Sequence, residues 1–169
     1  MKNSFVLSLV LMLGACSQPP STPKSAKQAA PSRDLVAEVR ASGVEAEDSL
    51  DVQPLRDPAV EDLRSAATSH ERARRFDKAD QVLLQALKIT PNDPELLQLR
   101  AEIALFREQY SQAEELAYAS FARGPKLGGL CRRNWTTVRV AREMRGETQG
   151  VGAATEQTKR CTVEPPVRM

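Results

Sequence analysis

Phe76-Asp77-Lys78-Ala79 and Tyr110-Ser111-Gln112-Ala113 are one phrase written twice, and the step from the first to the second is 34 residues. The same step carries Leu63 to Leu97, Ala67 to Ala101 and Thr90-Pro91 to Gly124-Pro125. Within each copy, apolar residues recur at three- and four-residue spacing, the mark of one buried helix face. Pro91 and Pro125 lack an amide hydrogen and so close the second helix of each copy. Asp93-Pro94 opens the next one, with proline at a position that has no hydrogen bond to lose. The phrase thus fixes a helix, a turn and a second helix as the repeating unit.

A 34-residue period of this kind is the mark of tetratricopeptide repeats. Ala67, Ala79 and Ala86 stand where the two helices of a repeat touch, and Ala101 and Ala113 echo them. Phe76 and Tyr110 are the aromatic residues at the turn between helices. The expectation is an all-α protein: a short array of two clear repeats and a degenerate third hairpin, over residues 57–161. In the third unit, Gly128-Gly129-Leu130-Cys131 is an insertion of about four residues relative to the repeat period. Trp135 then takes an aromatic position near the start of a first helix, with Val138, Ala141 and Met144 continuing its buried face. Arg145-Gly146-Glu147-Thr148 is the turn. The last helix, about Thr148 to Cys161, is weak, because Gly150 and Gly152 each cost it ~1 kcal/mol relative to alanine.

Working outward to the N-terminus, Met1-Lys2-Asn3 leads into an apolar run, Phe5 to Leu13, that ends in Leu13-Gly14-Ala15-Cys16. A charged start, a short apolar core and small residues before a cut describe a secretory signal, residues 1–15. The run is too short for a spanning helix, which needs roughly 20 residues. Its last four residues resemble the bacterial lipobox. That resemblance implies removal of the signal, acylation of Cys16 and stable membrane anchoring through several acyl chains. Ser17 after the cysteine implies an outer-membrane address, facing the periplasm.

Residues 16–56 read as a disordered linker. Ser17-Gln18-Pro19-Pro20-Ser21-Thr22-Pro23 is too polar and too rich in proline to build a core. Only Leu35-Val36-Ala37-Glu38-Val39 is able to form a helical turn or a docking motif. Forty such residues reach at most ~130–140 Å when extended. As a flexible coil they span nearer ~35 Å. Residues 162–169 form a short C-terminal tail.

Cys131 and Cys161 are the two cysteines besides Cys16. In an oxidising compartment an even pair reads as a disulfide. Zinc competes poorly, since the one histidine, His70, is remote and two thiolates do not make a four-ligand site. In an antiparallel hairpin the start of the first helix lies beside the end of the second. A Cys131–Cys161 bond would therefore staple the weak third unit.

No catalytic set accompanies the fold. His70 has no nucleophile or Gly-x-Ser-x-Gly turn beside it, and the glycines at 124–129 lack the following Gly-Lys-Ser or Gly-Lys-Thr of a phosphate loop. The reading is a protein that is not an enzyme, with no cofactor and no metal. A net charge of +2 does not point to nucleic acid. The charge is uneven, however. Nine acids fall between Arg33 and Asp62, while ten lysines and arginines against four acids follow from Phe121, a weak pointer to an acidic partner. Helical arrays bind through the surface lined by first helices. By register, Arg64, Thr68, Gln98, Glu102, Leu105, Arg132, Thr136 and Arg139 should face that groove.

Asn92-Asp93-Pro94-Glu95-Leu96-Leu97-Gln98-Leu99, Tyr110-Ser111-Gln112-Ala113-Glu114-Glu115-Leu116-Ala117 and Arg133-Asn134-Trp135 resemble the short tetratricopeptide lipoproteins of the outer membrane. Size and layout are similar to the LpoP-type activators. The resemblance implies a protein partner, a class A penicillin-binding protein of the inner membrane, reached across the periplasm. The stapled third unit departs from that pattern. The alternative expectation is an assembly factor for a pilus, secretion or outer-membrane complex. Oligomeric state is not written in the sequence.

Overall fold

The computed structural model describes residues 33–44 and 57–162. The expected signal at 1–15, Cys16 as the expected acylation site, the linker expected at 17–32 and 45–56 and the tail from 163 onward lie outside the described residues. Seven helices make up what is described: α1 (Leu35–Ser42), α2 (Pro58–Arg72), α3 (Phe76–Ile89), α4 (Pro94–Phe106), α5 (Tyr110–Arg123), α6 (Gly129–Met144) and α7 (Thr148–Arg160). The six from α2 to α7 pair as three successive hairpins, and each hairpin packs on the next.

Local chemistry sets the boundaries. Asp57 and Asp93 cap α2 and α4, accepting from the amides of Ala59 and Leu96, and a proline follows each cap at the first helical position. Within the hairpins the turns share one backbone solution. Arg74, Glu108 and Gly146 all sit at positive φ (55°, 57° and 75°). Arg74 and Glu108 are one repeat apart, and Gly146 is displaced by the four-residue insertion. The left-handed conformation suits glycine, so the degenerate repeat has the least strained of the three turns.

The core runs along the array in three patches. Val60, Ala67, Ala79, Leu83, Ala86, Leu96 and Ile103 join α2, α3 and α4, with Phe76 stacked on Phe106 at 4.8 Å. Ala101, Ala117, Val138 and Ala154 join α4 to α7; Trp135 packs edge-on to Tyr118 and Phe121 there. Met144 does not continue the buried face of α6: it is 45% exposed, at the last position of the helix. Gly150 has a packing reason that its helix propensity hides. A Cβ there would fall 2.6 Å from the guanidinium of Arg142, which donates to the Gly150 carbonyl at 3.0 Å.

The third patch corrects the linker. Val36 and Val39 of α1 are buried with Ala104 and Leu105 of α4, Ala113 of α5, and Val140 and Ala141 of α6. Residues 33–44 are therefore an ordered part of the array, not linker. Two valines one turn apart give α1 an apolar edge that the array covers.

Cys131 and Cys161 are disulfide-bonded, with Cα atoms 5.6 Å apart, and the Gly128 amide donates to the Cys161 carbonyl at 2.8 Å. Start and end of the third hairpin are thereby tied. Closing a 30-residue loop contributes roughly 3–4 kcal/mol in the chain-entropy model. Replacing both cysteines by serine should lower the melting temperature by circular dichroism, with α6 and α7 losing amide protection before α2–α5. An unchanged melting curve would show that the staple carries no stability.

Candidate functional site

α4 is the middle first helix, and its sequence is apolar almost all round. Leu96, Leu97, Ala101, Ile103, Ala104 and Leu105 are buried, and so are Gln98 and Glu102. A helix covered on every side needs neighbours on every side. α3, α5 and α6 supply three of them, and α1 supplies the fourth.

α1 lies across the first helices and is held at both ends and in the middle. Asp34 caps its start, accepting from the Ala37 amide at 2.9 Å. At its end, Arg132 of α6 donates to the carbonyls of Ser42 (2.7 Å) and Val44 (3.3 Å), groups that a helix end leaves without internal partners. Gly43 lies so close to α6 that a Cβ would fall 2.5 Å from the Arg133 side chain. In the middle, Arg40 donates through Nε to Glu102 at 2.8 Å and through both Nη groups to Glu71 of α2 at 2.8 and 2.9 Å.

Glu102 is the centre of this arrangement. It is fully buried, and it accepts from Arg40, from Arg133 and from the Gln98 amide at 3.1 Å. Gln98 also donates to the Thr137 hydroxyl at 2.9 Å. A buried carboxylate is tolerable only when paired and hydrogen-bonded, and here guanidinium groups from two helices meet it. A second set of charges flanks it. Arg139 bridges Glu38 of α1 and Glu143, while Arg33 bridges the same two carboxylates from the other side. Burial works against the charge of Glu143, but hydrogen bonds from Arg33 and Arg139 outweigh it and hold the pKa below the ordinary 4.5.

Magnitudes decide how firmly α1 is held. Burying Val36 and Val39 contributes roughly 1.5–3 kcal/mol each. Ordering its eight backbone residues costs about 1–2 kcal/mol apiece. Apolar contact alone does not hold the helix, so the internal hydrogen bonds and the arginine–carboxylate contacts must supply the balance.

The eight residues placed in the groove by register divide accordingly. Glu102, Leu105, Arg132 and Arg139 contact or pack with α1, and Gln98 reaches it through Glu102. Thr136 is buried on α6. Arg64 instead pairs with Glu61 and Glu95, and Thr68 is exposed, donating to the Arg64 carbonyl at 3.1 Å. Gln98, Glu102, Leu105 and Thr136 are thus covered rather than presented to a partner, and α1 lies over Glu102 and Leu105. The register missed Glu71, Arg133 and Glu143. One signal was present: α4 is too apolar for a helix with one open face.

His70 accepts from the Arg75 guanidinium at 3.1 Å. Among the described residues, no group of three His, Cys, Asp or Glu side chains is placed to hold a metal. No described helix is long and apolar enough to cross a membrane.

This geometry is that of a tetratricopeptide array, a fold for binding other proteins, and the tetratricopeptide-repeat family model matches residues 60–103. The structure of the globular C-terminal domain of P. aeruginosa LpoP is similar, with a TM-score of 0.59 and 24% sequence identity. The match covers 62% of this chain and 99% of that one. No curated protein matches the chain.

Two outcomes follow from the charge arrangement. Glu102→Ala should destabilise the array by roughly 2–4 kcal/mol in urea, below the upper end for buried pairs because Arg40 and Arg133 are part-exposed. Glu102→Gln, which keeps the shape, should cost less. Acid is the second test. A carboxylate with a depressed folded pKa stabilises above its unfolded value and loses that stabilisation as pH falls through the folded one. Glu143 should therefore support α1 fully above pH 4.5 and progressively less below it, and Glu143→Gln should flatten that part of the stability profile.

Proposed function

We propose that this protein is a membrane-anchored, non-enzymatic scaffold that activates peptidoglycan synthesis by a class A penicillin-binding protein. The supporting observation is the fold match to LpoP, which takes in nearly all of that globular domain, on a chain that opens with a lipobox-like Leu13-Gly14-Ala15-Cys16. Acylated Cys16 would hold the protein in the outer membrane, facing the periplasm, and the array would meet the synthase.

α1 bears on which surface does so. With α1 docked, the face of α4 and α6 is covered, so the partner meets the rest of the array or displaces α1. Four basic residues of the third hairpin offer little free charge: Arg133, Arg139, Arg142 and Arg145 are each paired with a carboxylate.

Glycan-strand synthesis by purified class A penicillin-binding proteins, with and without residues 33–169, is the test. Stimulation at micromolar protein is the expected result. No stimulation of any such synthase by demonstrably folded protein would overturn the reading and move attention to assembly complexes.

A further inference from the structure

The chain enters the array through α1, across the first helices, and not at α2 where the repeats begin. Between Cys16 and Arg33 lie residues 16–32, seventeen in all, which span at most ~60 Å. With α1 detached, the stretch before Asp57 becomes residues 16–56, forty-one in all, which span at most ~145 Å. We propose that α1 is a latch that sets the reach of the array: docked, it holds the domain close to its anchor, and released, it more than doubles the distance available. This rests on the reading of Cys16 as a membrane anchor.

Several observations favour a releasable contact over a permanent one. A two-turn helix does not persist alone in water, so α1 is ordered only by what it docks against. Its buried apolar content is two valines. Arg33, just before the helix, and Arg40 within it remain in partial contact with water, at 46% and 41% exposure, so solvent competes for both. The disulfide ties α6 to α7, and no cross-link joins α1 to the face it docks on.

Position makes this contact the first to feel a pull. Any load carried along the chain from Cys16 arrives at Arg33, whose ion pairs with Glu38 and Glu143 are the outermost contacts of the docked segment. A partner held farther from the anchoring membrane than the docked chain reaches binds only the released form, and so selects it. Release also uncovers Glu102, Leu105, Arg132 and Arg139. Reach and exposure of the first-helix face are then one event.

Hydrogen exchange on the full chain in detergent micelles tests the latch without reference to membranes. α1 amides should exchange about 100-fold faster than buried amides of α4 and α6, through an opening of their own. Exchange of α1 only at the rate of α4 and α6 would overturn the proposal. Val36→Asp/Val39→Asp should abolish protection in α1 and leave that of α4–α7; loss of protection throughout would make α1 part of the core and also overturn it. Reach is read on phosphatidylethanolamine–phosphatidylglycerol vesicles, with a donor on Glu115→Cys and acceptor lipids. Energy transfer should fall by about twofold in the double aspartate variant, as the array moves out within the longer span. Equal transfer with α1 detached would overturn the control of reach. Failure of either protein to partition with vesicles would sink the anchor reading, and the reach with it, while the exchange result still reports on docking.

Discussion

A fully buried carboxylate, Glu102, organises the first-helix face of this protein. Left unpaired in that position it would cost several kcal/mol. The chain meets the cost with two guanidinium groups from distant stretches of sequence, Arg40 and Arg133, and with the amide of Gln98. Each of those partners carries a second constraint. Arg40 also grips Glu71 on the first repeat, and the Arg133 side chain abuts Gly43. One charge therefore fixes the placement of α1 against α2, α4 and α6. A hydrophobic contact of similar area would hold the helix without choosing its register; hydrogen-bonded charges choose it.

Much of this fold is legible in the chain because repeats print their period. Phe76 and Tyr110, Pro91 and Pro125, Ala67 and Ala101 mark equivalent places, and the helices fall where those marks put them. The third hairpin could be read as well, since Trp135, Val138 and Ala141 keep helical spacing after the insertion. Tertiary packing that local spacing does not encode was harder to see. α1 looks like linker because its neighbours are acids and small residues, and its only signal is Val36 and Val39. Met144 keeps the spacing of a buried face, yet ends a helix and faces water. Gly150 reads as a weak point, although the absent side chain is what admits Arg142.

On the first-helix face, the register expected residues open to a partner, and the structure has several of them covered. Glu102, Leu105, Arg132 and Arg139 do sit on the first-helix face, but the ligand they meet is the chain itself. A pattern of residues says which way side chains point; it does not say whether another part of the molecule has arrived first. The clue lay in excess: α4 carries more apolar residues than a helix with one open side can bury, and Gln98 and Glu102 sit among them.

The same helix changes what kind of object the array is. Repeat arrays are held by contacts between neighbours, so their stability is close to a sum over adjacent units. α1 breaks that rule by touching the first repeat through Glu71, the second through Glu102 and Leu105, and the third through Arg132 and Arg139. Docked, it couples all three units, so that none can shift without disturbing the others. Detached, it leaves a chain of hairpins joined pairwise, with the disulfide guarding only the last. A helix of eight residues thus carries an influence out of proportion to the surface it buries, because its contacts span the array where the others span a single joint.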